Sequence, residues 1–132
     1  DLQDIKTPGL SCDLHDNPDI KERELALSHK ILMSVGETAR YIGGESGSVI
    51  KDKEKVNVRF AFCFPDSYDI GMSHLGMKIL YSLTNQREDY WCERVFAPGT
   101  DFEEIMRREN IPLYAIESLD PVKDFDFIGF TM

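Results

Sequence analysis

Seven residues, Val58-Arg59-Phe60-Ala61-Phe62-Cys63-Phe64, form a nearly continuous apolar run that Pro65 stops. The run is short for a helix, rich in aromatic side chains and bounded by a proline. It therefore reads as a central strand covered on both faces, the position occupied in a parallel sheet. Parallel neighbours need crossover connections, so strand, turn, helix and strand should follow in that order.

The downstream sequence supplies them. The residues from Pro65 to Ser73 read as a loop, and a helix is predicted from about His74 to Asn85, with Leu75, Ile79 and Leu83 on one apolar stripe. A short strand over about Cys92 to Ala97 is closed by Pro98-Gly99. Thr100 is placed to cap the next helix, with Glu103 completing a capping box and Phe102, Ile105 and Met106 toward the sheet, until near Asn110. Ile111 to Glu117 reads as a further strand, at an edge because Pro112 lacks an N–H. After a turn at Asp120-Pro121, Phe125 to Met132 reads as a buried strand with no helix after it, so the natural protein is expected to continue.

Upstream, Asp1 to Asn17 is polar, broken by Pro8-Gly9, and reads as a loose arm. Asn17 as cap, Pro18 at the first helical position, and an apolar stripe of Ile20, Leu27, Ile31 and Leu32 predict a helix over about Pro18 to Ser34, ended by Gly36. A glycine-punctuated loop from Ala39 to Glu45, a short extended piece near Ser48 to Lys51 and a charged turn to Lys55 lead into the first strand. The expected organisation is an arm and helix over residues 1–35 and an α/β domain over 36–132. Its fold class is a three-layer flavodoxin-like (Rossmann-like) parallel sheet, truncated after the third or fourth core strand.

With 42% hydrophobic and 11% aromatic residues, the chain has material for a core. Its 24 acidic against 15 basic side chains, a net charge of -9, argue against a nucleic acid partner, because phosphate backbones call for clustered Lys and Arg. No stretch nears the roughly 18 apolar residues of a membrane helix, and the start has no signal-like pattern, so a cytoplasmic protein without membrane contact is expected. Cys12, Cys63 and Cys92 are widely spaced and fit reduced thiols. No closely spaced cysteine triplet is present to hold an iron-sulfur cluster.

In open α/β sheets, ligands lie beyond the carboxyl ends of the strands, where the strand order reverses. The loop and helix start after the central strand occupy that place, and the candidate binding residues are Pro65, Asp66, Tyr68, Gly71, Ser73, His74, Leu75 and Gly76. Backbone N–H groups near Ser73 to Gly76 would face a phosphate or carboxylate, with Tyr68 and His74 as side-chain contacts. The plainer reading is a βα loop that needs a proline, turn residues and a glycine. His74 is equally a helix cap, and Asp66 and Asp69 are equally Asx-turn or capping residues rather than an acid/base pair. Cys12 and His15 lack a second ligand pair. Tyr41 beside Gly43 and Gly44 either covers a ligand or packs the arm on the sheet. No catalytic residue and no metal site is assigned.

Four stretches carry a resemblance. Ala39-Arg40-Tyr41-Ile42-Gly43-Gly44-Glu45, Val58 through Asp66, Ile70-Gly71-Met72-Ser73-His74-Leu75-Gly76 through Tyr81, and Asp124 through Phe130 together resemble the N-terminal region of a family of radical S-adenosylmethionine (radical SAM) proteins with a cobalamin-binding-like domain. Arg94-Val95-Phe96-Ala97-Pro98 looks like that family's second strand. The resemblance covers roughly Ser34 to Met132. It implies a flavodoxin-like domain that holds cobalamin, or scaffolds a radical-generating barrel of the same polypeptide.

In that class a 4Fe-4S cluster reduces S-adenosylmethionine to a 5'-deoxyadenosyl radical. Both groups would belong to the parent protein, with the cluster cysteines beyond Met132, so this chain alone is not expected to be catalytic. Histidine-ligating cobalamin domains carry Asp-x-His-x-x-Gly, whereas His74 and Gly76 have a different spacing; Asp13-Leu14-His15 matches the first half only. Two alternatives stay open: a cofactor-free docking module, and a stand-alone flavin or nucleotide domain, which lacks Gly-x-Gly-x-x-Gly. A receiver domain would need an acidic pair where Pro65-Asp66 offers one carboxylate. A strand edge left open by truncation is an expected route to homo-oligomers.

Overall fold

The computed structural model describes residues 39–131. The arm and helix expected before residue 35, with Cys12 and His15, lie outside the described residues. Within them the order is α1 (Ala39–Ile42), β1 (Val58–Phe64), α2 (Tyr68–Ser73), α3 (Leu75–Asn85), β2 (Tyr90–Phe96), α4 (Thr100–Arg108), a 3-10 turn (Val122–Asp124) and β3 (Phe127–Phe130).

β1 takes the central place that its apolar run predicts. It pairs in parallel with β2 through Val58–Tyr90 to Phe64–Phe96, and with β3 through Phe60–Phe127 to Cys63–Phe130. The order β2-β1-β3 makes an open, flavodoxin-like α/β sheet. The chain steps from β1 to β2 on one side, then crosses back to β3 on the other, so the reversal falls between β1 and β3.

Alternation along the strands defines two faces. On the first, Phe62, Phe64, Cys92 and Phe96 pack against Met77 and Tyr81 of α3 and against Ile116. On the second, Ala61, Cys63 and Val95 meet Ala115 and Phe125. The Leu75, Ile79 and Leu83 stripe is turned to solvent: all three are exposed, Leu75 at 70%, as is Leu80. The buried face of α3 is instead the Met77 and Tyr81 line, because the Tyr81 hydroxyl reaches inward to accept from the Val49 N–H (2.8 Å). β3 is likewise an exposed edge rather than a buried strand, with Phe127, Ile128 and Phe130 open and Phe130 at 74%.

Ile111 to Glu117 does not become a strand. Only an isolated antiparallel bridge, Tyr114 to Pro121, forms there. Pro112 offers no N–H, and Leu119 at φ 60° turns the chain back so that Ala115 N–H donates to Asp120 O (3.1 Å) and Val122 N–H to Leu113 O (2.9 Å). The resulting strap borders β2, where Ile116 N–H donates to Arg94 O (2.9 Å), and gives Ile116 to the first face and Ala115 to the second.

α4 begins one residue earlier than its sequence signal suggests. Gly99 is the N-cap, with no side-chain cap bond, and Thr100 lies inside the helix. Tyr41 replaces the expected capping box, its hydroxyl accepting from the Gly99 N–H (3.2 Å). Phe102 and Met106 are buried against Tyr114 and Tyr41 rather than on the sheet. Asn110, at φ 54°, ends the helix as Ile111 N–H donates to Met106 O (2.8 Å).

The chain from Tyr41 to Lys51 runs along the outer edge of β2. Gly43, at φ 63°, passes so close to the strap that a Cβ there would lie 2.5 Å from Ile116 O. At the far end the Lys51 ammonium donates to the carbonyls of Asn85, Arg87 and Tyr90, closing the turn from α3 into β2.

Candidate functional site

The candidate residues gather at the carboxyl end of β1, but most of their polar groups are spent locally. Pro65 and Asp66 are exposed. The Asp66 carboxylate accepts from the Ser67 N–H (2.7 Å), and its carbonyl accepts from the Ala97 N–H (3.0 Å), tying the loop to the end of β2. That is the Asx-type role rather than an acid/base pair, since Asp69 instead pairs with Arg40 (2.5 Å).

The expected loop contains a helix. Tyr68 to Ser73 forms α2, with Gly71 N–H donating to Ser67 O (3.0 Å) and Ser73 Oγ to Asp69 O (2.8 Å). Tyr68 meets Phe96 edge-on at 5.4 Å between centroids. Gly71 is buried, and a Cβ there would lie 2.2 Å from the Phe96 ring, so α2 sits on the sheet only because position 71 is bare.

His74 links α2 to α3. Its N–H donates to Gly71 O (3.1 Å), its Nδ1 accepts from the Met77 N–H (3.1 Å), and its ring packs on Phe64 at 5.2 Å. It is therefore the N-cap of α3. With Nδ1 accepting, a neutral ring carries its proton on Nε2. Leu75 points to solvent and Gly76 is half-buried, so the structure brings Tyr68, Gly71, Ser73 and His74 together and leaves Leu75 apart.

Tyr41 packs on Phe102 at 4.2 Å between centroids, and its carbonyl accepts from the Tyr114 hydroxyl (2.8 Å), so it packs the segment before β1 onto α4 and the strap. Beside it, between Tyr68, Phe96, Pro98 and Phe102, is a cavity of about 20 Å³, sized for one water.

A polar cluster that the motif search missed lies on the first face. Arg94 of β2 donates from Nε to Glu117 Oε1 (2.6 Å), from its backbone to Glu117 Oε2 (2.8 Å), and from Nη2 to Glu45 and to Ser48 Oγ (3.1 Å). Its guanidinium stacks over Tyr81 at 4.6 Å. The signal was present: Glu93-Arg94 puts two charges inside a strand otherwise buried, and buried charges need partners.

Burial sets the titration of the thiols and phenols here. It pushes Cys63 up to about 11 and Cys92 up to about 12. Tyr81 rises too, through burial first and the nearby Glu117 charge second. Both described cysteines are free thiols. Among the described residues no group of three His, Cys, Asp or Glu is placed to hold a metal ion, and no helix is long and apolar enough to cross a membrane.

No curated protein and no solved structure matches the chain. Residues 76–132, from the first turn of α3 through β3, match the family model described as Radical SAM proteins, N-terminal, which supports this part of the chain as a domain of a radical SAM protein.

Proposed function

We propose that this α/β unit is an N-terminal scaffold of a radical SAM protein, against which the radical-generating barrel of the same polypeptide docks. The observation that carries the reading is the apolar side chains left open on α3 and on both faces of β3. Leu75, Ile79, Leu80 and Leu83 on α3, with Phe127, Ile128 and Phe130 on β3, are all exposed, and among the described residues β3 is paired on one side only. An apolar patch of this kind favours burial against another folded surface, and a flat apolar edge left open is prone to pair. The family match over residues 76–132 supports a barrel of that class as the partner.

A second reading, that the unit holds cobalamin, is favoured by one observation: the strand order reverses beside β1, where α/β sheets place ligands. The residues fit that group poorly. His74 spends Nδ1 on the cap of α3, and α2 fills the loop after β1. S-adenosylmethionine and a 4Fe-4S cluster belong, in this reading, to the barrel alone.

Titration of hydroxocobalamin into this chain and into one extended past residue 132, followed by absorption and calorimetry, separates the two. The scaffold reading expects no binding to either, and protection of Leu75, Leu83 and Phe130 from hydrogen exchange in the extended protein. Stoichiometric corrinoid binding with a His74-dependent spectrum would replace it by the cobalamin reading. Unchanged exchange at those three residues would remove docking through this surface.

A further inference from the structure

A cavity of about 310 Å³ lies between α2, α3, Arg94 of β2 and the segment at Ser46 and Gly47. That volume is at the lower end of small-molecule sites. Met72, Met77 and Tyr81 give it an apolar wall, Ser46 and Ser82 add hydroxyls, and Lys78 and Arg94 add two cations. Its lining residues include no carboxylate; Glu45 and Glu117 pair with Arg94 without joining the lining.

Arg94 supplies the second observation. Its side chain is 7% exposed, and its Nε and Nη2 find oxygen acceptors. Its Nη1 meets the Met72 sulfur at 3.0 Å, and Met72 also lines the cavity. A thioether is a weak acceptor, so one buried guanidinium donor at the cavity wall lacks a strong partner. The Lys78 ammonium forms no ion pair among the described residues and is exposed at the same wall.

We propose that this cavity binds a small monocarboxylate with an apolar or aromatic body. The carboxylate takes the Arg94 Nη1 and the Lys78 ammonium, while the body lies along Met72, Met77 and Tyr81. A charge-assisted bond to oxygen replaces the sulfur contact, and the Lys78 ammonium meets the negative charge of the bound carboxylate. The site is independent of the scaffold reading, because none of the exposed apolar residues of α3 or β3 lines it.

The test uses 3-phenylpropionate and its neutral isostere 3-phenylpropanamide, titrated into the 132-residue chain and followed by nitrogen–proton NMR. The carboxylate is expected to shift the Arg94 Nε–H and the amides of Gly47, Met77 and Lys78. The amide, and the Lys78→Glu variant, should each bind about tenfold more weakly or worse, the factor of one lost charge-assisted bond. Ser82→Trp, at an exposed position, should fill the cavity and abolish the shifts without unfolding the chain, and Lys123→Glu should leave affinity unchanged. Equal affinity for acid and amide, no response of the Arg94 Nε–H at millimolar probe, or shifts confined to Leu75 and Leu83 would each overturn the proposal.

Discussion

The two faces of the sheet each bury a strand arginine, and they solve the same problem to different degrees. On the second face Arg59 of β1 donates from Nε (3.1 Å) and Nη2 (2.5 Å) to Glu93, from Nη1 to Asp120 (2.8 Å) and from Nη2 to Ser118 (3.0 Å), lying between the Trp91 and Phe125 rings. Every nitrogen meets oxygen. On the first face Arg94 is held as firmly by Glu117 and Glu45, yet its Nη1 meets only sulfur, beside a cavity. A buried ion cluster whose donors are all matched is a structural strut. One with a poorly matched donor at a void is a place for a ligand.

The largest expected effect breaks the closed side. Glu93 is fully buried, and Glu93→Ala would leave Arg59 without its main counter-charge, at a cost of about 3–5 kcal/mol. Urea unfolding of the single variant and of an Arg59→Met, Glu93→Leu pair checks it, since the pair should recover most of the loss. If the pair were as unstable as the single variant, the ion cluster would not be the cause.

Next, Gly71→Ala forces a methyl into the Phe96 ring beneath α2, with an expected loss of about 1–3 kcal/mol. In a Phe96→Leu background the same change should cost clearly less, because the clash partner is gone. Additive losses in the two backgrounds would mean that α2 adjusts elsewhere.

The thiols compare the faces under alkali. Cys63 on the second face and Cys92 on the first are both held protonated by burial, at about 11 and about 12 against the usual 9.0. Between pH 9 and those values the unfolded chain has lost protons that the folded chain keeps. Stability from each thiol is thus fully present below pH 9 and falls with rising pH, by about 1.4 kcal/mol per unit. Unfolding midpoints at pH 8 and 10 in wild type and in Cys63→Ala and Cys92→Ala variants measure it; a pH-independent difference between them would contradict the assignment.

The smallest effect concerns the candidate site. His74→Ala should lower stability by about 1 kcal/mol, the worth of an N-cap, and His74→Asn should restore most of it. A larger loss that asparagine does not rescue would show that the Phe64 contact, not the cap, is the residue's main work.

Most of the architecture was legible in the sequence. The run Val58 to Phe64, stopped by Pro65, is apolar on both faces, so it had to be central, and the helix from His74 to Asn85 followed from its period and cap. The errors share one cause. Periodicity shows that Leu75, Ile79 and Leu83 share a side of α3, but not which side meets the sheet, because Met77 and Tyr81 offer a second apolar line. For Ile111 to Glu117, strand propensity was outweighed by Pro112 and the turn at Leu119, which no local pattern announces.

The site divides in the same way. That a glycine, a serine and a histidine stand after the central strand is a property of the sequence, and so is the need for Glu93 and Arg94 to find partners within a buried strand. Tertiary structure alone decided that His74 caps α3, and that Glu45 and Glu117, far apart in the chain, close on one guanidinium. The physical reason is range. Propensity, capping and periodicity act over a few residues, whereas desolvating a charge binds together whichever distant groups the fold brings within hydrogen-bond reach.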